Sequence, residues 1–134
     1  MSALLGHGKL AEARLKVREL MLAHPDDPAV QQELYWLLGI IRLRMGRLEQ
    51  AVTAADKLEE LLRRHPVGEA QLRDRPIVLR LQALLALERF AEARQVAKPL
   101  LARPEDDPGF LGGIRYAAHS YMAEERLDDA VSFL

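Results

Sequence analysis

Apolar residues recur every three or four positions along two neighbouring segments of the chain. In residues 28–45 the apolar stripe consists of Leu34, Leu38 and Ile41. In residues 48–64 it consists of Val52, Ala55, Leu58 and Leu62. This spacing puts the side chains on one face of an α-helix. We therefore predict one helix over 28–45 and a second over 48–64.

Proline marks both the starts and the ends of the predicted helices. Asp27 precedes Pro28, and Asp107 precedes Pro108. An aspartate can cap the first turn, and proline is tolerated at the first helical position because its missing N–H needs no partner there. Other helices are predicted to end before a proline, since the residue that precedes proline is pushed away from helical dihedral angles. The prolines in that position are Pro25, Pro66 and Pro104.

One six-residue pattern occurs four times, as GKLAEA, GRLEQA, ERFAEA and ERLDDA. Each copy ends in alanine, and these alanines are Ala13, Ala51, Ala93 and Ala130. The intervals between them are 38, 42 and 37 residues. The triplet Asp-Asp-Pro also recurs, 80 residues later, which equals the first two intervals together. We therefore predict a repeated helix–turn–helix unit whose neighbouring hairpins stack to bury their apolar stripes.

Composition and charge narrow the class of protein further. Leucine and alanine dominate the hydrophobic 49% of the residues, and no segment alternates as a strand would, so we predict an all-α fold. The 19 basic and 20 acidic side chains leave a net charge of −1, which argues against a dedicated nucleic-acid binder. The absence of cysteine excludes disulfides and thiolate chemistry. No apolar run approaches the ~20 residues that cross a bilayer, so no membrane insertion is expected.

The repeated unit resembles the tetratricopeptide repeat, a helix–turn–helix unit of about 34 residues. The family's helix A pattern of an aromatic residue, leucine and glycine is matched by Tyr35, Leu38 and Gly39. The small residue that lets helix B approach its neighbours is matched by the four alanines. Two positions depart from the family, because Arg42 stands where it has tyrosine and Arg80 where it has leucine.

The resemblance implies a right-handed α-solenoid of stacked helix–turn–helix repeats, about three full repeats with cut ends. Residues 1–27 would form a partial first repeat, 28–66 the second, 67–107 the third and 108–134 a partial fourth. Only residues 2–6 would remain of the first helix A, so we expect a segment of a longer array. The alternative is a natural short protein. Apolar faces exposed at the ends of the array would allow a homodimer.

In tetratricopeptide proteins the A helices line a concave groove that binds a peptide or a helix of a partner. Counting back from the repeated alanines carries the groove positions over to this chain. The predicted groove residues are Trp36, Ile40, Leu43, Arg44, Val78, Gln82, Arg115, His119 and Met122, and further groove positions include Glu33, Arg75, Leu85 and Ala86. We predict Trp36 as the anchor, with packing between helices as an equal alternative. Arg44 and Arg115 would favour an acidic partner.

Patterns typical of catalytic and metal sites are weak in this chain. Residues 6–11 fit the GxGxxA dinucleotide pattern, but no strand is predicted before them, so we favour a turn between helices. The histidines lack metal-ligand spacing; they are His7, His24, His65 and His119. The few hydroxyl residues lie in no nucleophile motif. We therefore predict no enzyme, no catalytic residue, no cofactor and no metal.

Two arginine clusters are the strongest candidates for contact with phosphate. One comprises Arg42, Arg44 and Arg47, and the other comprises Arg63 and Arg64. Glutamates interrupt both clusters, and no aromatic residues alternate with them to stack on bases. Solvated helix faces with intrahelical ion pairs are the preferred interpretation, and no nucleic-acid partner is expected.

The predicted function is that of a non-catalytic scaffold or adaptor that binds a peptide or helix of a partner protein in a concave groove. The alternative is the tetratricopeptide region of a larger bacterial machine, such as an envelope or exopolysaccharide secretion scaffold or a signal-dependent transcription regulator. In that case the flanking domains would carry the distinctive function. The sequence assigns neither the cytoplasm nor the periplasm.

Overall fold

The structure is a computed structural model that describes residues 7–124. Within that range the chain forms seven helices and no strand. They are α1 (His7–Ala23), α2 (Pro28–Arg44), α3 (Leu48–Arg64), α4 (Ala70–Arg73), α5 (Arg75–Ala86), α6 (Phe90–Leu101) and α7 (Pro108–Ala123). The all-α prediction is thus confirmed for the described residues, and α2 and α3 agree with the predicted helices to within one residue.

Some predictions concern residues outside the described range. They are the remnant of the first helix A at 2–6, the last hexapeptide at 125–130 and the last helix B up to Leu134. At the first hexapeptide the expected turn is wrong, because α1 already begins at His7 and Gly8 lies in its first turn. In the second and third hexapeptides the helix begins only at the third residue, Leu48 and Phe90.

Two helices begin with the predicted aspartate caps. The Asp27 carboxylate accepts a hydrogen bond from the Val30 N–H at 3.2 Å, and Pro28 opens α2. The Asp107 carboxylate accepts one from the Gly109 N–H at 2.7 Å, and Pro108 opens α7. Each carboxylate satisfies a backbone donor that has no partner within its own helix.

The hexapeptide turns at Gly46 and Glu88 have the same backbone geometry. Gly46 has φ of 75° and Glu88 has φ of 60°, both in the left-handed region. The N–H of Arg47 donates to the carbonyl of Arg42 at 2.8 Å, and the N–H of Arg89 donates to that of Leu84 at 2.9 Å. A bond across six residues with a left-handed residue inside it is the Schellman helix ending. The sequence repeat is therefore also a repeat of backbone structure.

The chain divides into two compact units, Met1–Leu79 and Arg80–Leu134, and the boundary falls within α5. In the first unit α1 packs on α2 and α2 packs on α3. In the second unit α6 packs on α7. The alanines Ala51 and Ala93 are 0% and 1% exposed, which is the burial that the tight helix contacts of the repeat require. The positions four and seven residues after these alanines are buried too, namely Ala55, Leu58, Ala97 and Leu100.

Glycines allow two of these helices to approach their neighbours closely. A Cβ atom at Gly39 of α2 would lie 2.6 Å from Cδ1 of Leu79. A Cβ atom at Gly113 of α7 would lie 2.9 Å from Cβ of Leu100 on α6. Both distances are shorter than van der Waals contact, so the missing side chains set the spacing of these helix pairs.

Candidate functional site

A cleft of about 380 Å³ lies between α5 and α7 in the second unit. Its walls come from one face of each helix, namely Gln82, Leu85 and Ala86 of α5 and Arg115, Tyr116 and His119 of α7. Three of these residues, Gln82, Arg115 and His119, are predicted groove residues. Leu85 and Ala86 occupy further groove positions that the repeat alignment indicated. The structure thus brings together residues that lie 29 to 37 positions apart in the sequence.

The α5–α7 cleft combines apolar walls with a few polar groups. The Gln82 amide donates a hydrogen bond to the Tyr116 hydroxyl at 3.3 Å, which holds the tyrosine at the cleft. Arg115 is exposed and forms no ion pair with a described carboxylate. An exposed arginine without an ion pair can donate two parallel hydrogen bonds to a carboxylate of a ligand. Sequence reasoning missed Tyr116, although it lies beside Arg115 on the same helix face.

Trp36 of α2 is half-buried in the first unit. Its ring packs against the buried cluster of Ala55, Leu58 and Leu79. The Arg75 guanidinium lies 4.9 Å from the centre of the ring, a cation–π contact, and also pairs with Glu33 at 2.7 Å. Arg75 therefore contacts two other groove positions, Glu33 and Trp36. Trp36 contributes to packing while part of its side chain remains exposed.

A second apolar cleft, of about 390 Å³, lies between α1 and α2 in the first unit. The predicted groove residues Ile40 and Arg44 line it, together with Leu37, which is 40% exposed. The facing wall consists of Ala13, Lys16, Val17 and Leu20 of α1. The repeat alignment assigned no groove position to α1, because in the family's pattern α1 is a B helix.

The remaining predicted groove residues lie at other places. Leu43 is half-buried and packs against the same cluster as Trp36. Val78 is half-buried on α5, and Met122 on α7 is 54% exposed. Apart from Val78 and Met122, the predicted residues are thus divided between the α5–α7 cleft, the α1–α2 cleft and the surroundings of Trp36.

Ser120 is the buried polar residue of α7, and its contacts join α7 to α6. Its hydroxyl donates to the Ala117 carbonyl at 2.6 Å and accepts from the Arg94 guanidinium at 3.1 Å. Arg94 also pairs with Glu124 and lies 4.3 Å from the ring centre of Tyr121. Because the Ser120 hydroxyl both donates and accepts a hydrogen bond, it stabilises the contact between α6 and α7.

Two other kinds of site, a metal centre and a membrane-spanning helix, are absent from the described residues. Between residues 7 and 124 no group of three or more histidine, aspartate or glutamate side chains is arranged to hold a metal ion. Over the same range, no helix has both the length and the apolar character of a membrane span.

The chain has no significant match among protein-family models, curated proteins or solved structures. The resemblance to tetratricopeptide repeats therefore depends on the motifs of this sequence. The case for a function depends on the geometry of the clefts.

Proposed function

We propose that this chain is a non-catalytic module that binds a peptide or helical segment of a partner protein. The α5–α7 cleft carries the proposal, because groove positions carried over from two different A helices line one cavity there. Leu85, Ala86 and the ring of Tyr116 form an apolar surface beside the Arg115 guanidinium. This combination suits a ligand with an apolar side chain next to a carboxylate.

The size of the cleft agrees with a peptide side chain as the ligand. A volume of about 380 Å³ lies near the lower end of the roughly 300–1,000 Å³ that ligand pockets occupy. One large side chain, such as leucine or phenylalanine, with part of its backbone fits such a volume. We therefore propose an amphipathic partner segment with one anchor residue and an acidic neighbour.

The backbone repetition supports stacked tetratricopeptide-like repeats as the architecture of the module. The turns at Gly46 and Glu88 share their hydrogen-bond pattern, and the equivalent alanines Ala51 and Ala93 are both buried. In the proposed arrangement the repeats continue as a right-handed solenoid.

The test is selection of binders from a random peptide library, followed by affinity measurements by fluorescence anisotropy. Ala86→Arg should block the cleft from an exposed position at the end of α5, and Arg115→Gln should remove the carboxylate partner. We expect Arg115→Gln to weaken binding about tenfold or more, which corresponds to the loss of one charge-assisted contact, and Ala86→Arg to weaken it by filling the cleft. Arg63→Gln is the matched control, since it makes the same charge change on an exposed face of α3.

Circular dichroism of each variant should match that of the wild type, because the substituted positions are exposed. If the selected peptides bind both cleft variants as tightly as the wild type, the α5–α7 cleft is not the binding surface. Trp36→Ala is expected to weaken binding by about 2 kcal/mol if Trp36 is the anchor. The stability of the Trp36→Ala variant must be measured as well, because Trp36 also packs against the Leu58 cluster.

A further inference from the structure

Four arginines of the first unit form one group, in which the positive charges of three act on the fourth, Arg42. Arg14 and Arg18 belong to α1, Arg42 belongs to α2, and Arg47 follows the turn after α2. Within the described part of the chain, none of the four forms a salt bridge. These four residues form the arginine cluster.

The second cluster that the sequence suggested is neutralised within its own helix. Arg63 pairs with Glu59 at 3.6 Å and Arg64 pairs with Glu60 at 2.8 Å, each four residues apart on α3. These pairs are the intrahelical contacts expected of a solvated helix face. Of the two arginine clusters that the sequence suggested, only the one around Arg42 therefore remains a candidate for binding an anion.

Helix geometry explains why Arg42 joins the arginine cluster and Arg44 does not. Two residues apart on a helix, Arg42 and Arg44 point about 200° away from each other. Arg44 lines the α1–α2 cleft, while Arg42 lies on another side of α2, near Arg14 and Arg18. Arg14 and Arg18 are four residues apart, which places both on one face of α1.

Two of the four guanidinium groups are partly buried and incompletely hydrogen-bonded. The Nε atoms of Arg14 and Arg42 are buried, and neither has a hydrogen-bond partner among the described residues. Arg42 keeps one bond, from Nη1 to the Gln50 carbonyl at 2.9 Å. A buried donor without a partner is destabilising, as is a group of like charges, so this arrangement lowers the stability of the empty chain.

The electrostatic surroundings of Arg42 agree with that conclusion. Burial lowers the pKa of Arg42, and the nearby positive charges of Arg18 and Arg14, and more weakly Arg47, lower it further. Tyr35 alone acts in the opposite direction. A bound anion would relieve both the repulsion and the loss of hydration.

We propose that the arginine cluster binds a phosphate dianion, as inorganic phosphate or as a small phosphomonoester. A phosphate group carries close to two negative charges at neutral pH and offers at least three strong acceptor oxygens. Each guanidinium can present two parallel N–H donors to such a group. A single carboxylate would supply half the charge and only two oxygens.

The test compares two double variants with the same change in charge. Arg18→Gln with Arg47→Gln removes the two exposed members of the cluster, and Arg63→Gln with Arg64→Gln removes the paired arginines. The affinities for inorganic phosphate and for free O-phosphoserine are measured by calorimetry at low ionic strength. Melting temperatures are measured in phosphate, in acetate and in chloride of equal ionic strength.

We expect the wild type to bind at least one of the two phosphate probes and to melt at a higher temperature in phosphate than in chloride. The Arg18/Arg47 variant should bind about tenfold more weakly or worse, because it loses charge-assisted hydrogen bonds, while the Arg63/Arg64 variant binds as the wild type does. Without phosphate, the Arg18/Arg47 variant should melt no lower than the wild type, since it has less like-charge repulsion. The probe that binds more tightly identifies the source of the phosphate.

Three results would overturn the proposal. The first is a melting temperature in phosphate equal to that in chloride, and the second is equal stabilisation by acetate. The third is equal loss of binding in the two double variants, which would show a general effect of net charge. The proposal is independent of the α5–α7 cleft, because the arginine cluster lies in the first unit and the cleft in the second.

Discussion

The turn between α2 and α3 and the turn between α5 and α6 form the same hydrogen bonds with different residues at the left-handed position. In the first turn Gly46 adopts φ of 75°, and in the second Glu88 adopts φ of 60°. The N–H of each donates to the carbonyl three residues earlier, Leu43 or Leu85, at 3.1 Å. Glycine adopts this conformation without strain, whereas a residue with a Cβ atom is disfavoured there by about 1–2 kcal/mol.

The comparison shows that the turn requires its hydrogen bonds, whereas glycine at the left-handed position only removes backbone strain. The helix before the turn must end with bonded carbonyls, and the helix after it must begin two residues later so that Ala51 or Ala93 is buried. These requirements are met with glutamate as well as with glycine. The burial of the flanking helices therefore holds Glu88 in a strained conformation.

The largest effects are expected from Ala51→Leu and Ala93→Leu. Both alanines are fully buried at equivalent positions after their turns, so a larger side chain should lower the free energy of unfolding by about 1–3 kcal/mol. Denaturant unfolding measures the effect, and Lys57→Leu and Gln95→Leu on exposed positions of the same helices are the controls. If leucine at either position leaves the free energy of unfolding unchanged, the two turns are not equivalent.

Gly46→Ala should have the next largest effect. A Cβ atom at Gly46 meets no neighbouring atom, so the cost comes only from the left-handed backbone and should be about 1 kcal/mol. Gly8→Ala is the control, because Gly8 has equally open surroundings but lies within α1. That substitution should be neutral or stabilising, and a loss of stability as large as at Gly46 would contradict the backbone explanation.

The aspartate caps offer a second comparison between the units. Asp27→Ala and Asp107→Ala should each lower the free energy of unfolding by about 1 kcal/mol. The larger loss is expected at Asp107, whose hydrogen bond is shorter, 2.7 Å against 3.2 Å, and whose carboxylate also lies 3.7 Å from Arg103. Thermal unfolding of the two variants decides the order. Asp26→Ala, beside the cap but without a capping bond, should change little.

Glu88→Gly should produce the smallest effect, with the opposite sign. Relief of the left-handed strain is partly offset by the greater freedom of glycine in the unfolded chain, so a gain of about 0.5 kcal/mol is expected. The same unfolding measurement checks it. A loss of stability would mean that the Glu88 side chain makes a contribution larger than the strain.

Short-range signals explain why much of the helical structure was predictable. The pairs Asp27–Pro28 and Asp107–Pro108 specify helix starts through their own backbone chemistry, and α2 and α7 begin there. The start of α3 at Leu48 agrees with the position of the hexapeptide, although the first copy of the hexapeptide lies inside α1.

The sequence was less informative where distant residues or an unusual start are involved. The short helix α4 ahead of α5 was not anticipated, and Pro76 sits at the second residue of α5, where its missing N–H needs no partner. Arg42 was grouped with its sequence neighbour Arg44, but α1 supplies its spatial neighbours from 24 and 28 residues away. Helix rotation and tertiary packing decide that grouping, and neither can be read from adjacency.

The Arg94 contacts have a consequence for how α6 and α7 can move along each other. The buried residues of these helices are mostly small, among them Ala93, Ala97, Gly113 and Ala117, and contacts between methyl groups have no preferred direction. If α7 slid along α6 by one turn, about 5.4 Å, many similar apolar contacts could form again. The same displacement would separate Arg94 from Ser120 and from Glu124 together. The close approach at Gly113 and the directional bonds of Arg94 therefore fix the axial register of the pair together.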